Sequence, residues 1–259
     1  MNAILSKSRA AGIHLIFNLA IFSILLFILL KLWYPPPFFS ASGGLQGLKI
    51  VALVDIVLGP ILTFVIFNQA KAKHLLKMDI TLIFVLQIAA FTWGIWAIYQ
   101  QRPLAITYWH DGFYSVPASE LKSQPNALEI LAQYGDSFPV FAYVDRRLDA
   151  EGHQRIMQAV AKHKDMPPYQ ILSLYENHKD FFDKILAYEL DDEKLEYWMQ
   201  RYPKAQKQLD KVVQGSGIAV QDLHFVWLIS RYRNPLIVFD SEGNIVGFIN
   251  MPYKPKSKV

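Results

Sequence analysis

Three stretches of this chain are too long and too apolar to be ordinary core elements of a soluble protein: residues 13–33, 48–68 and 80–99. The first, "IHLIFNLAIFSILLFILLKLW", offers about twenty apolar positions. At about 1.5 Å of rise per residue, a helix of that length crosses a hydrocarbon core of roughly 30 Å. Lys31 lies near enough to the end of the run to snorkel toward water, and Trp33 and Tyr34 are aromatic residues of the kind that settle at a membrane interface. The third run closes in the same way, with Trp93, Trp96 and Tyr99. Three membrane-spanning helices are therefore expected. Lys7 and Arg9 before the first run and "SAS" at 40–42 outline a cleavable signal. The apolar stretch, however, exceeds the usual roughly 7–15 residues and "PPPFF" intervenes, so a retained anchor is expected.

Charge is sorted along the chain. Residues 1–99 hold seven Lys or Arg and two acids, whereas residues 100–259 hold nineteen bases and twenty acids. The net charge of +4 therefore belongs to the apolar part, and the remainder lacks the basic excess that would neutralise nucleic-acid phosphates. Lys7 and Arg9 precede the first span, and Lys71, Lys73 and Lys77 separate the second from the third; the 34–46 loop "YPPPFFSASGGLQ" has no base. Bases accumulate on the cytoplasmic side, so the N-terminus and second loop are expected there. An odd number of spans then puts everything after Tyr99 outside, in the periplasm of a bacterium. Cysteine is absent, which removes disulfides, thiol catalysis and thiolate metal sites.

The division expected is 1–99 for the spans, 100–250 for a periplasmic α+β domain and 251–259 for a polar, disordered tail. "LAITYW" at 104–109 and "FYSV" at 113–116 read as a hairpin turning on Asp111-Gly112. "FPVFAYVD" at 138–145 and "YQILSLY" at 169–175 read as strands, with a helix over 150–163 between them. Helices are expected over 178–190 and 192–211, with Gly215 and Gly217 as the stop. "PLIVFD" and "NIVGFI" flank "SEG" as a second hairpin. No nucleotide-binding loop, HExxH or GxSxG motif occurs. His110 and Asp111 sit at a turn, His153 and His163 lack metal-ligand spacing, and Asp191, Asp192 and Glu193 suit the positive end of a helix. No catalytic residue, metal site or cofactor is expected.

The second span is unusual. It carries Asp55 about seven residues in, roughly 10 Å deep, followed by Gly59-Pro60. An unpaired carboxylate there is costly, so it should be un-ionised, water-exposed or paired. Asn18, Ser23, Gln87 and Thr92 are the polar candidates in the other spans. Gly59 permits close helix approach, and Pro60 removes a backbone donor and tends to kink the helix. Two readings stand: Asp55 brackets three helices together, or the kinked helix offers a surface to another protein's transmembrane helix. Three helices are few for a transport pathway.

The segment "VDIVLGPILTFVIFN", with three spans and an outer domain that follows "RPLAITYWHDGFYSV", resembles the type IV pilin accessory proteins of the TfpX/TfpZ type. The most specific element is Asp55, Leu58, Gly59, Pro60, Leu62 and Thr63; "NPLIVFDSEGNIVGFI" is a looser match. The resemblance implies a non-enzymatic, chaperone-like protein of the bacterial inner membrane that supports pilus assembly. Its partner would be a type IV pilin, met through the pilin's transmembrane helix and its globular head, within the lipid. Asp55, Leu58, Gly59, Pro60 and Thr63 are the expected partner-binding residues. The alternatives are a membrane-anchored ligand sensor, a pilin-modifying enzyme and a structural subunit of the assembly machine.

Overall fold

The three apolar runs are helices in the computed structural model, which describes residues 2–67, 72–146, 149–164 and 166–251. They extend over Lys7–Trp33, Gly44–Ile66 and Lys73–Gln101, each long and apolar enough to cross a membrane. All three begin earlier than hydropathy marks, because helical hydrogen bonding continues past the apolar core into flanking residues. Asn68 and Lys71 lie outside the described residues. The chain divides into two compact units: Met1–Phe39 with Gly43–Gln100, and Ser40–Ser42 with Gln101–Val259. The first holds the spans and the second is a mixed sheet with helices, so the protein is a membrane-anchored α+β protein.

Within the first unit, small residues set the packing of the second and third spans. A Cβ on Gly47 would strike Ile98, one on Gly94 would strike Val51, and one on Gly59 would strike the Gln87 amide. These three meetings follow an antiparallel register, and each needs a glycine at the contact. The first span joins the third at one end, where Trp33 packs edge-on against Tyr99 at 4.9 Å and the Tyr34 hydroxyl donates to the Ile98 carbonyl at 2.7 Å.

The second unit is built on a seven-stranded sheet in the order β4-β3-β1-β2-β5-β6-β7. β1 (Pro103–Trp109) and β2 (Gly112–Pro117) form the central antiparallel hairpin. β3 (Val140–Val144) runs parallel to β1 and β5 (His224–Ile229) parallel to β2. β4 (Tyr175–Asn177) closes one edge; β6 (Leu236–Phe239) and β7 (Ile245–Ile249) close the other as the expected C-terminal hairpin.

Several local expectations shift, each for a physical reason. The central turn is His110-Asp111, flanked by the pair Trp109 and Gly112, with His110 at φ 63°. Gly112 serves a close approach instead, since a Cβ there would lie 2.9 Å from the Trp227 carbonyl of β5. The stretch expected as a strand over 169–175 forms two 3-10 turns, Pro168–Gln170 and Leu172–Leu174, and β4 begins only at Tyr175. The Gln124 amide takes the place of a strand partner, donating to Gln170 O at 2.7 Å and accepting from Leu172 N at 3.0 Å. The helix expected over 178–190 is a 3-10 turn followed by the short helix Phe182–Leu186. The region expected as one helix over 192–211 is two, Asp192–Arg201 and Pro203–Ser216. Pro203 lacks the N–H to continue the first and fits the opening turn of the second. Gly217, at φ 71°, is the stop. β5, whose "HFVWLI" is rich in strand formers, is a strand beyond those expected.

Paired positions share a face of the sheet. On one, Leu121, Leu131, Ile171 and Leu174 pack on Ala105, Val140 and Ala142, while Leu195, Met199 and Leu209 pack on Phe225, Leu236 and Val238. Met251, at the start of the expected tail, is buried in the second of these clusters; the rest of the tail lies outside the described residues. On the other face Phe113, Phe141 and Phe239 ring the buried His178.

Burial lowers the His178 pKa below 6.5, and backbone hydrogen bonds at Gly243 and Phe141 only partly oppose it. The folded state then binds fewer protons than the unfolded state as pH falls through 6.5, so the stability present above that pH is lost below it. Denaturant unfolding followed by tryptophan fluorescence is expected to show lower stability at pH 5.5 than at 7.5. In His178→Phe the drop should shrink; an unchanged drop would place the acid sensitivity elsewhere.

Candidate functional site

Proline at position 60 creates the site's first requirement. In an α-helix the Asp55 carbonyl would accept from Gly59 N–H, but residues Leu53–Leu58 are wound as a π-helix and Gly59 N–H bonds Val54 O instead. In the π register the Asp55 carbonyl would need the N–H of residue 60, which proline lacks. The vacancy is filled from the first span, where the Asn18 side-chain amide donates to the Asp55 carbonyl. Two turns further along, the Thr63 hydroxyl meets Nδ1 of His14 at 2.7 Å. Asn18 and Gln87, two of the four polar candidates, thus approach the Asp55 region. Ser23 instead bonds Leu19 O in its own helix, and Thr92 is exposed. His14 joins these residues; its place four residues before Asn18, on the same helical face, is the sequence signal for it.

The five expected partner-binding residues divide between two faces. Asp55, Gly59 and Thr63, spaced by four, point into the bundle, and Asp55 is only 7% exposed. Leu58 points outward at 45% exposure, and Pro60 is half-buried.

Between the first and third spans, away from the Trp33–Tyr99 end, lies a pocket of about 100 Å³. The first span lines it with His14, Phe17, Asn18, Ile21 and Phe22, and the third with Phe84, Gln87, Ile88 and Phe91. Both sets follow the i, i+3, i+4, i+7 spacing of a single helical face. The second span contributes one residue, Asp55, as the floor. Phe17, Phe84 and Ile88 are about half-exposed, so the pocket opens sideways through an apolar rim. Two helical faces separated by a gap form an apolar-rimmed opening with a polar floor.

In the outer unit, the catalytic candidates have local roles. Asp191 caps a helix by accepting Lys194 N–H at 2.8 Å, Nδ1 of His110 meets Arg146 at 2.7 Å, and His153 lies on the helix Ala150–Lys162. Among the described residues no three His, Asp or Glu side chains gather as a metal site.

The Gly59 approach is testable against a built-in control. Gly59→Leu must displace Gln87 from the bundle and is expected to destabilise by about 1–3 kcal/mol through overpacking. Gly12→Leu, where a Cβ meets open space, should stay within about 0.5 kcal/mol of wild type. Thermal unfolding of the detergent-solubilised variants measures both.

The family described as fimbrial assembly protein FimB matches residues 2–43, the first span and the loop after it. The fimbrial assembly protein of serogroups C1 and C2 from Dichelobacter nodosus is 30% identical over 104 residues, covering 40% of this chain and 79% of that protein. The serogroup I and serogroup E1 proteins of the same organism are each 28% identical over 141 residues, and the match spans about half of their length, 53%. No solved structure matches the chain. The relative covered over 79% of its length, together with the match at residues 2–43, places this chain in the fimbrial assembly protein family, in keeping with its resemblance to type IV pilin accessory proteins.

Proposed function

We propose that this protein is a non-enzymatic, chaperone-like factor of the bacterial inner membrane that holds a cognate pilin before its incorporation into a type IV pilus. The pocket between the first and third spans carries the reading. Two helical faces with Asp55 between them offer a seat for one more transmembrane helix, and a pilin's apolar helix is the occupant. On this reading Asp55, Gly59 and Thr63 shape the floor and its support, while Leu58 and Pro60 act on the register of the second span. The Lys and Arg distribution supports a cytoplasmic N-terminus and a periplasmic outer unit, which would meet the pilin's globular head. A hollow beside edge strand β7, lined by Lys211, Val212, Val246 and Phe248, is a candidate surface for that contact. The relatives are distinguished by serogroup in their names, which supports a factor matched to one fimbrial type.

Photocrosslinking in native membranes tests the seat. Probes at Phe17 and Phe84 are expected to capture the pilin, and a probe at Val65, 64% exposed and absent from the pocket lining, should capture much less. Equal capture at all three positions, or capture from the β7 hollow alone, would overturn the helix seat.

A further inference from the structure

Two polar atoms at the pocket lack a hydrogen-bond partner: Oδ2 of Asp55 and Nε2 of Gln87. They come from different spans and are buried. Of their polar neighbours, Asn18 serves the Asp55 backbone carbonyl, and His14 meets Thr63 through Nδ1 and the Gln87 side chain as well, which leaves Asp55 Oδ2 and Gln87 Nε2 open. In a site rimmed by Phe17, Phe22, Phe84 and Phe91, lipid chains cannot pair them.

We propose that the pocket reads a carboxamide or un-ionised carboxyl side chain on the guest transmembrane helix. This rests on the helix-seat reading and adds the chemistry of what the seat selects. Such a group carries its donor and its acceptor on separate atoms: its N–H or O–H donates to Asp55 Oδ2, and its carbonyl accepts from Gln87 Nε2. An apolar side chain satisfies neither atom. A lysine ammonium only donates, so it would serve Asp55 and leave Gln87 unpaired. The apolar rim then supplies packing common to any helix, and the pair on the floor supplies the discrimination.

The chain contains no cysteine, so Lys73→Cys gives a single labelling site at an exposed position. The labelled full-length protein in phosphatidylcholine vesicles is titrated, by energy transfer, with synthetic Leu/Ala single-span peptides bearing one central Gln, Leu or Lys. The Gln peptide is expected to bind about 3- to 30-fold more tightly than the Leu peptide. That preference should vanish in Asp55→Leu with Gln87→Leu, and fall in Gln87→Leu alone. Equal binding of Gln and Leu peptides overturns the selection but leaves the seat standing. Lys-peptide binding as tight as Gln replaces it with charge pairing. Absence of binding by every peptide overturns the proposal, and silent crosslinks at Phe17 and Phe84 would remove the seat as well.

Discussion

Hydrocarbon supplies no hydrogen bonds, so each backbone group that a helix fails to satisfy must find a partner within the bundle. Pro60 makes that demand unavoidable in the second span, and the π turn moves it onto the Asp55 carbonyl, where Asn18 answers it. The bond fixes the first span against the second at one level, and His14 with Thr63 fixes it again further along. Gly59 removes the side chain that would keep Gln87 away, so the third span reaches the same region. A proline, a glycine and two side-chain amides thus determine where three otherwise greasy helices meet. They also determine where the bundle keeps polar atoms in reserve.

The outer unit solves a different problem. Its central hairpin is flanked on each side by a parallel strand, and both crossovers place their apolar side chains on one face of the sheet. The opposite face is closed by aromatic rings around His178. The outer unit can therefore be rigid at its centre while presenting short edge strands, β4 and β7, to its surroundings.

The spans, the two hairpins and the α+β character were legible because they depend on local signals: hydropathy run length, alternation, and turn residues. The first hairpin was placed correctly although its turn lies one residue earlier, since Gly112 answers to Trp227 across the sheet and not to the turn. Non-local partners hid the rest. "YQILSLY" looks like a strand until Gln124, far off in the chain, occupies its backbone groups. At the candidate site, Asp55, Gly59 and Pro60 stood out as anomalies within an apolar run. Which faces they take depends on a π register and on the spacing of His14 with Asn18, and hydropathy reports neither. Leu58, drawn in by the family resemblance, lies on the outward face.

Ser40–Ser42, in the loop between the first two spans, belong structurally to the outer unit. The Ala41 carbonyl accepts from the Ser230 hydroxyl at 2.7 Å and from Tyr232 N–H at 3.0 Å, and Ser42 meets Ser115 at 3.0 Å. The outer unit is therefore discontinuous in sequence. Its first strip is made before the second and third spans, and its last partner only after β5. Closure of so long a stretch of chain makes this a late, high-contact-order step in folding. The outer unit is therefore complete only once the chain on both sides of the second and third spans has been made.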